Sequence, residues 1–154
     1  SCTGTAACSG GVPLSDNSDA PGSHNGVDTS ADMLRNLSSP LDPYTGQPLP
    51  QQRRQKHIDH LFPLAAAWDL GAAQWPQRKR TSFANDIERN LVVVSGDVNI
   101  DKGDSTPSEW LPPWKGSQCW YAARYLTVAI YYQLAITEAD WHALSGARRL
   151  CHRS

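Results

Sequence analysis

The 154-residue chain lacks three things: a CxxC pair, a hydrophobic run of membrane length, and an excess of charge of either sign. Without CxxC, its four cysteines argue against a zinc ribbon or a thioredoxin-like redox motif. The longest charge-free apolar stretch, Tyr125 to Thr137, is 13 residues long and carries three tyrosines. A membrane span needs about 20 apolar residues, so none is expected. With 14 basic and 15 acidic side chains, the net charge of -1 argues against a polybasic nucleic-acid coat or an acidic solvating tail. A local basic patch stays open. What is present, 40% hydrophobic and 19% charged residues, suits one domain with a real core.

Cys2, Cys8, Cys119 and Cys151 form one pair near each end. An even count in this arrangement suits two disulfides in an oxidising compartment. Of three connectivities, Cys2–Cys8 with Cys119–Cys151 closes the two most local loops. The chain starts at Ser1 with no Met and no apolar leader. A mature protein, secreted or periplasmic, is therefore expected. The bland alternative is four free buried thiols in a cytosolic protein.

Residues 1–50 are rich in Gly, Ser, Pro, Asn and Asp and carry five Asp against one Arg. They read as irregular chain with one short helix near Ser30–Leu37, and the run Asp42-Pro43-Tyr44-Thr45-Gly46-Gln47-Pro48 is a turn signal. Residues 51–90 reverse the charge through Arg53, Arg54, Lys56, Arg78, Lys79, Arg80 and Arg89. A strand is expected over Gln55–Leu61, a helical turn over Leu64–Leu70 and a helix over Gln77–Arg89 behind Pro76. The run Arg78-Lys79-Arg80 is either a phosphate-facing patch or a solvated face. Leu91–Ser95 reads as a buried strand and Gly96-Asp97 as a turn. Thr106-Pro107-Ser108-Glu109 has the pattern of a helix-starting capping box. The clearest helix is expected over residues 119–134, with Ala123, Leu126, Thr127, Ile130, Tyr131 and Leu134 repeating at helical spacing. Thr137 caps a last helix from Glu138 to about Arg149. Trp120, Leu126, Ile130 and Trp141 supply the apolar face of this helical pair.

The residues suited to chemistry are His57-Ile58-Asp59-His60, Asn90 and Asn99-Ile100-Asp101-Lys102-Gly103-Asp104. Asp59 offers a hard oxygen ligand suited to Mg²⁺. His60 titrates near neutrality and can take a proton from water. The Asn99 amide adds a neutral oxygen ligand, and two protein ligands leave most of an octahedral shell for water and phosphate. Singly these are weak signals. A lone His60 is more often structural, Asn99 before Asp101 fits a plain turn, and Lys102 fits a solvated turn lysine as well as a phosphate contact. In a strand His57 shares a face with Asp59. It can be a partner of that carboxylate, a phosphate contact, a third ligand or a plain strand histidine. His57 and His60 lack the Glu of HExxH, which argues against a zincin.

As an ordered set these pieces resemble the HNH, or ββα-metal, endonuclease family. The resemblance is carried by Tyr44-Thr45-Gly46-Gln47-Pro48-Leu49, by Ile58-Asp59-His60-Leu61-Phe62-Pro63-Leu64, by Asn90-Leu91-Val92-Val93-Val94 and by Asn99-x-x-Lys102-Gly103-Asp104. The stretch from Asp59 to Pro113, with Ala65-Ala66-Ala67-Trp68, Phe83-Ala84-Asn85-Asp86 and Pro107-Ser108-Glu109-Trp110-Leu111-Pro112-Pro113, looks like the secreted bacterial branch of that family.

The resemblance implies an α+β fold with a ββα-metal core, two antiparallel strands near 57–61 and 91–95, and a helix from about Asn99. One nuclease domain over 1–154 is expected: a loop-rich wrap over 1–50, the core over 51–115 and a C-terminal helical pair over 119–151. Asp59 and Asn99 would bind one divalent metal, Mg²⁺ first and Mn²⁺ second. His60 would be the general base and Asn90 would brace its loop. Asp59 and His60 face opposite sides of a regular strand, so the strand must twist or end at His60. The implied activity is hydrolysis of DNA, with RNA as a further substrate, at low sequence specificity. His57, Lys102, Arg53, Arg54, Arg78 and Arg80 are candidate substrate contacts, and a protein inhibitor is a compatible partner. The alternative is a disulfide-stapled binding protein on a degenerate scaffold of the same kind.

Overall fold

A computed structural model describes residues 33–34, 37 and 39–152. The expected Cys2–Cys8 bridge and most of the N-terminal wrap lie outside the described residues. So does most of the expected helix over 30–37, of which Met33 and Leu34 are helical. The fold is α+β, a small two-stranded sheet among helices. Strand β1 (Lys56–His60) pairs antiparallel with β2 (Leu91–Ser95), with Ile58 opposite Val93 and His60 opposite Leu91. β2 falls on its β-branched run, and β1 lies within the expected Gln55–Leu61 span, ahead of the breaker Pro63. Between them lie α1 (Leu64–Asp69) and α2 (Gln77–Ala84). After β2 come α3 (Gly96–Lys102), α4 (Lys115–Tyr132) and α5 (Glu138–Arg148). Thr137 caps α5 as expected, its side chain accepting from the Asp140 backbone N–H.

Four expectations are corrected. Helix α2 stops at Ala84 rather than Arg89. The Asp86 carboxylate accepts from the Arg89 N–H, and its carbonyl from the N–H groups of Asn90 and Leu91, so the chain closes into turns instead of continuing the helix. Helix α3 starts at Gly96, where a turn was expected, because Ser95 leaves the strand at the N-cap position and the sheet passes directly into the helix. Thr106 starts only a turn: Glu109 and Trp110 both donate to its carbonyl, and no helix follows. Helix α4 begins four residues early and ends at Tyr132, where Gln133 turns left-handed.

The buried face of α4 is also not the expected one. Tyr121, Tyr125, Val128 and Tyr132 point inward, whereas Ile130 is 76% exposed, Tyr131 57% and Trp141 on α5 49%. Tyr125 stacks on Phe62 with ring centroids 4.4 Å apart, and Phe83 meets both Phe62 and Tyr132 edge-on. This aromatic cluster is the centre of the core. Cys119, in the second turn of α4, is bonded to Cys151 beyond α5, the expected pairing. Among the described residues, no helix is long and apolar enough to cross a membrane.

Candidate active site

Strand β1 ends at His60, so Asp59 and His60 reach different partners from adjacent positions. Asp59 is buried. Its Oδ2 accepts from the Tyr44 hydroxyl at 2.5 Å and from the Lys102 ammonium at 2.8 Å. His60 points the other way, and its Nε2 lies 2.8 Å from the Ala84 carbonyl at the end of α2. A carbonyl only accepts, so Nε2 carries the proton and Nδ1 is left as the basic nitrogen. Burial lowers the pKa of the ring, opposed by the Ala84 bond and the Asp59 charge and aided by Lys102. The neutral, proton-accepting form is thereby favoured.

Asn90 sits fully buried at the start of β2 and closes on the segment after His60. Its Oδ1 accepts from the Phe62 N–H at 2.7 Å and its Nδ2 donates to the Phe62 carbonyl at 3.0 Å. The Asn90 carbonyl takes the Leu61 N–H at 2.8 Å. Three bonds thus fix the turn that leads out of β1. From α4, Tyr121 donates to the Leu61 carbonyl, and Arg124 donates to the carbonyls of Glu88 and Arg89. The stretch before Asn90 is held as firmly as the one after His60.

Helix α3 carries Asn99 and, one turn on, Lys102. The Asn99 amide Nδ2 lies 3.1 Å from His57 Nδ1, so His57 is a neighbour of Asn99 rather than a hydrogen-bond partner of Asp59. The His57 ring packs over Gly96, where an added Cβ would sit 2.8 Å from Nε2. A side chain at residue 96 would have to displace that ring. Lys102 is 1% exposed and also donates to the His60 carbonyl at 2.9 Å. It is not a solvated turn lysine. Burial lowers its pKa and the Asp59 carboxylate opposes that. One ammonium therefore joins the strand backbone at His60 to the carboxylate at Asp59.

The donor set suits a hard cation. Asp59 keeps Oδ1 outside every described hydrogen bond, and Asn99 supplies an amide. Among the described residues, no three His, Cys, Asp or Glu side chains cluster as a closed metal cage.

The basic residues divide. Arg53, Arg54 and Arg78 are exposed, and Arg54 bonds to Gln52. Lys79 lies over the Trp75 ring and Arg80 over the Trp68 ring, so two of the three residues in the 78–80 run lie along their own scaffold. Tyr44 stands in the Tyr44–Leu49 motif, and the sequence alone points to no role for its hydroxyl, which bonds to Asp59. No local pattern links it to a carboxylate 15 residues away.

Residues 16–147 match the family model described as GmrSD restriction endonucleases, C-terminal domain. A protein of the fungus Arthroderma benhamiae, printed as "Uncharacterized secreted protein", is 40% identical over 95 residues. The match covers 61% of this chain and 47% of that protein, so the chain spans about half the length of the curated relative it matches. No solved structure matches the chain significantly. With 16–147 covered by the family model, the chain belongs to the family of GmrSD restriction endonuclease C-terminal domains.

Proposed function

We propose that this chain is a secreted, divalent-metal-dependent endonuclease built on a ββα-metal core, hydrolysing DNA, and RNA as a further substrate, with low sequence specificity. The observation that carries the proposal is the pair at the end of β1. His60 has Nε2 anchored on Ala84 and Nδ1 left basic, directly after a carboxylate with one oxygen unbonded among the described residues. The family supports nuclease activity. The secreted relative supports export, but as a fungal protein it does not support restriction to a bacterial branch. We take residues 1–154 as one nuclease domain on the same reading.

In this reading His60 Nδ1 takes the proton of a water aligned opposite the leaving 3′ oxygen, so the products carry 5′-phosphates. Asp59 and Asn99 would hold Mg²⁺, or Mn²⁺ in its place. Such an ion supplies Lewis-acid stabilisation of the crowded phosphorane and the leaving oxygen. Asn90 keeps the 61–63 turn, and with it His60, in place. Arg53, Arg54 and Arg78 contact the sugar–phosphate backbone without reading sequence, which makes binding steeply salt-dependent. His57, Lys102 and Arg80 are less available to substrate, because each already has a partner within the protein.

The Asp59–Lys102 ion pair favours a second reading. A carboxylate already neutralised by an ammonium suits a binding protein on a degenerate scaffold. Plasmid nicking with and without EDTA separates the two. Metal-restored nicking supports the enzyme, and no nicking with any divalent ion supports the binder. If the enzyme reading holds, Asp59→Ala and Asn99→Ala each raise the Mg²⁺ needed for half-maximal nicking by roughly 10-fold or more. Unchanged Mg²⁺ titrations for both variants would sink the shared-ligand assignment.

A further inference from the structure

The turn over residues 42–48 has no part in the chemistry above, yet it is bonded to the site through Asp42 and Tyr44. The Asp42 carboxylate accepts from the Tyr44 N–H at 2.8 Å through Oδ1, and from the Ser95 N–H and hydroxyl at 3.0 and 2.7 Å through Oδ2. Ser95 is the N-cap position of α3, the helix that carries Asn99. Gly46, at φ 71°, lets the turn close against Trp114, whose ring would lie 2.8 Å from an added Cβ. Tyr44 is fully buried, with its ring edge-on to Trp110 and Tyr121. From that cage the hydroxyl reaches Asp59.

Among the described residues, the two side-chain donors to Asp59, the Tyr44 hydroxyl and the Lys102 ammonium, meet the same oxygen, Oδ2. Rotating the carboxylate by a quarter turn would break both bonds at once, and a half turn only exchanges two equivalent oxygens, so one oxygen stays with the donors and the other faces away from them. We propose that Tyr44 is a positioning residue for Asp59: with Lys102 it holds Oδ2 inward and thereby aims Oδ1 at the cation. The proposal rests on Asp59 being the metal ligand. Because the same turn is bonded to Ser95, it also sets the start of α3 relative to Asp59, and so the spacing of the two ligands.

The test is Mn²⁺ binding to the purified full chain by isothermal titration calorimetry, with no substrate present. Tyr44→Phe keeps the ring and its packing and removes only the hydroxyl. It is expected to weaken Mn²⁺ binding roughly 10-fold, the scale of losing a bond to a metal ligand from behind. The nicking rate at saturating metal should change far less than the metal concentration needed to reach it. A Tyr44→Phe protein with a lower melting temperature but parental Mn²⁺ affinity overturns the proposal and leaves Tyr44 a packing residue. Asp42→Asn loosens the turn while keeping the phenol. It should weaken Mn²⁺ binding too, and it serves the same test if Tyr44→Phe does not fold. Asp59→Asn is the control. If it weakens binding while Tyr44→Phe and Asp42→Asn do not, positioning by the turn fails and the ligand assignment stands. If Asp59→Asn binds Mn²⁺ like the parent, both fail.

Discussion

His60→Ala should lower DNA cleavage by about 100-fold or more, up to 10⁴-fold, the range expected for losing a positioned general base. The fold should survive. The ring is half-buried at the end of β1, and what it gives up structurally is one hydrogen bond to the Ala84 carbonyl, about 1 kcal/mol. The ladder through β2, the Asn90 bonds to Phe62 and the Lys102 bond to the residue-60 carbonyl all use backbone atoms and persist in the variant. Metal binding should persist as well, because Asp59 and Asn99 are untouched. The measurement is the single-turnover nicking rate at saturating Mg²⁺, with a melting curve and an Mn²⁺ titration on the same preparation. A folded His60→Ala protein that cleaves like its parent removes His60 from the mechanism. His60→Gln extends the test: its amide can reach the Ala84 carbonyl but accepts no proton near neutrality, so it should be as inactive as alanine.

The second large effect is on stability. Breaking Cys119–Cys151, which spans 32 residues, should cost roughly 3–4 kcal/mol on the loop-entropy model. That corresponds to a melting temperature lower by roughly 10 °C for a chain of this size. The effect reaches the site through α4. Tyr121 holds the Leu61 carbonyl, Tyr125 stacks on Phe62, and Arg124 holds the carbonyls of Glu88 and Arg89. A loosened α4 therefore frees both segments that Asn90 joins. Neither Cys119 nor Cys151 belongs to the candidate site, so protein without this bridge should nick normally at low temperature and lose activity early on heating. Melting curves and nicking at several temperatures, compared between the parent and a Cys119→Ser/Cys151→Ser double variant, isolate this bridge from any pairing of Cys2 and Cys8. Disulfide mapping is the direct check: both thiols free in native protein would remove the staple.

Local signals sufficed wherever the chain's own covalent preferences set the answer. The β-branched run Leu91–Ser95, the breaker Pro63 after β1 and the cap at Thr137 each act over a few residues, and each element formed where those residues place it. The order of Asp59, His60, Asn90 and Asn99 is likewise legible as a motif. Local signals failed where two answers were equally good locally. Helix α4 carries two apolar stripes, one through Leu126, Ile130 and Tyr131 and one through Tyr121, Tyr125, Val128 and Tyr132. Helical spacing suits both, and only the position of Phe62 and Phe83 chose the second. The end of α2 depended in the same way on Asp86, whose carboxylate takes the Arg89 N–H and the Tyr132 hydroxyl from 46 residues away.

Local signals were enough for the strand positions, the last helix and its cap, and the residue types at the candidate site, and among three connectivities they favoured the Cys119–Cys151 pairing that the structure then shows. Those depend on backbone propensity, short loops and side-chain chemistry. Tertiary structure alone decided which face of α4 is buried, that Lys102 is sealed inside rather than solvated, that His57 meets Asn99, and that Tyr44 and Lys102 converge on one oxygen of Asp59. The physical reason is that a buried hydroxyl or ammonium must find a partner, and the partner it finds depends on which distant segments packing brings within about 3 Å, a distance no sequence spacing encodes.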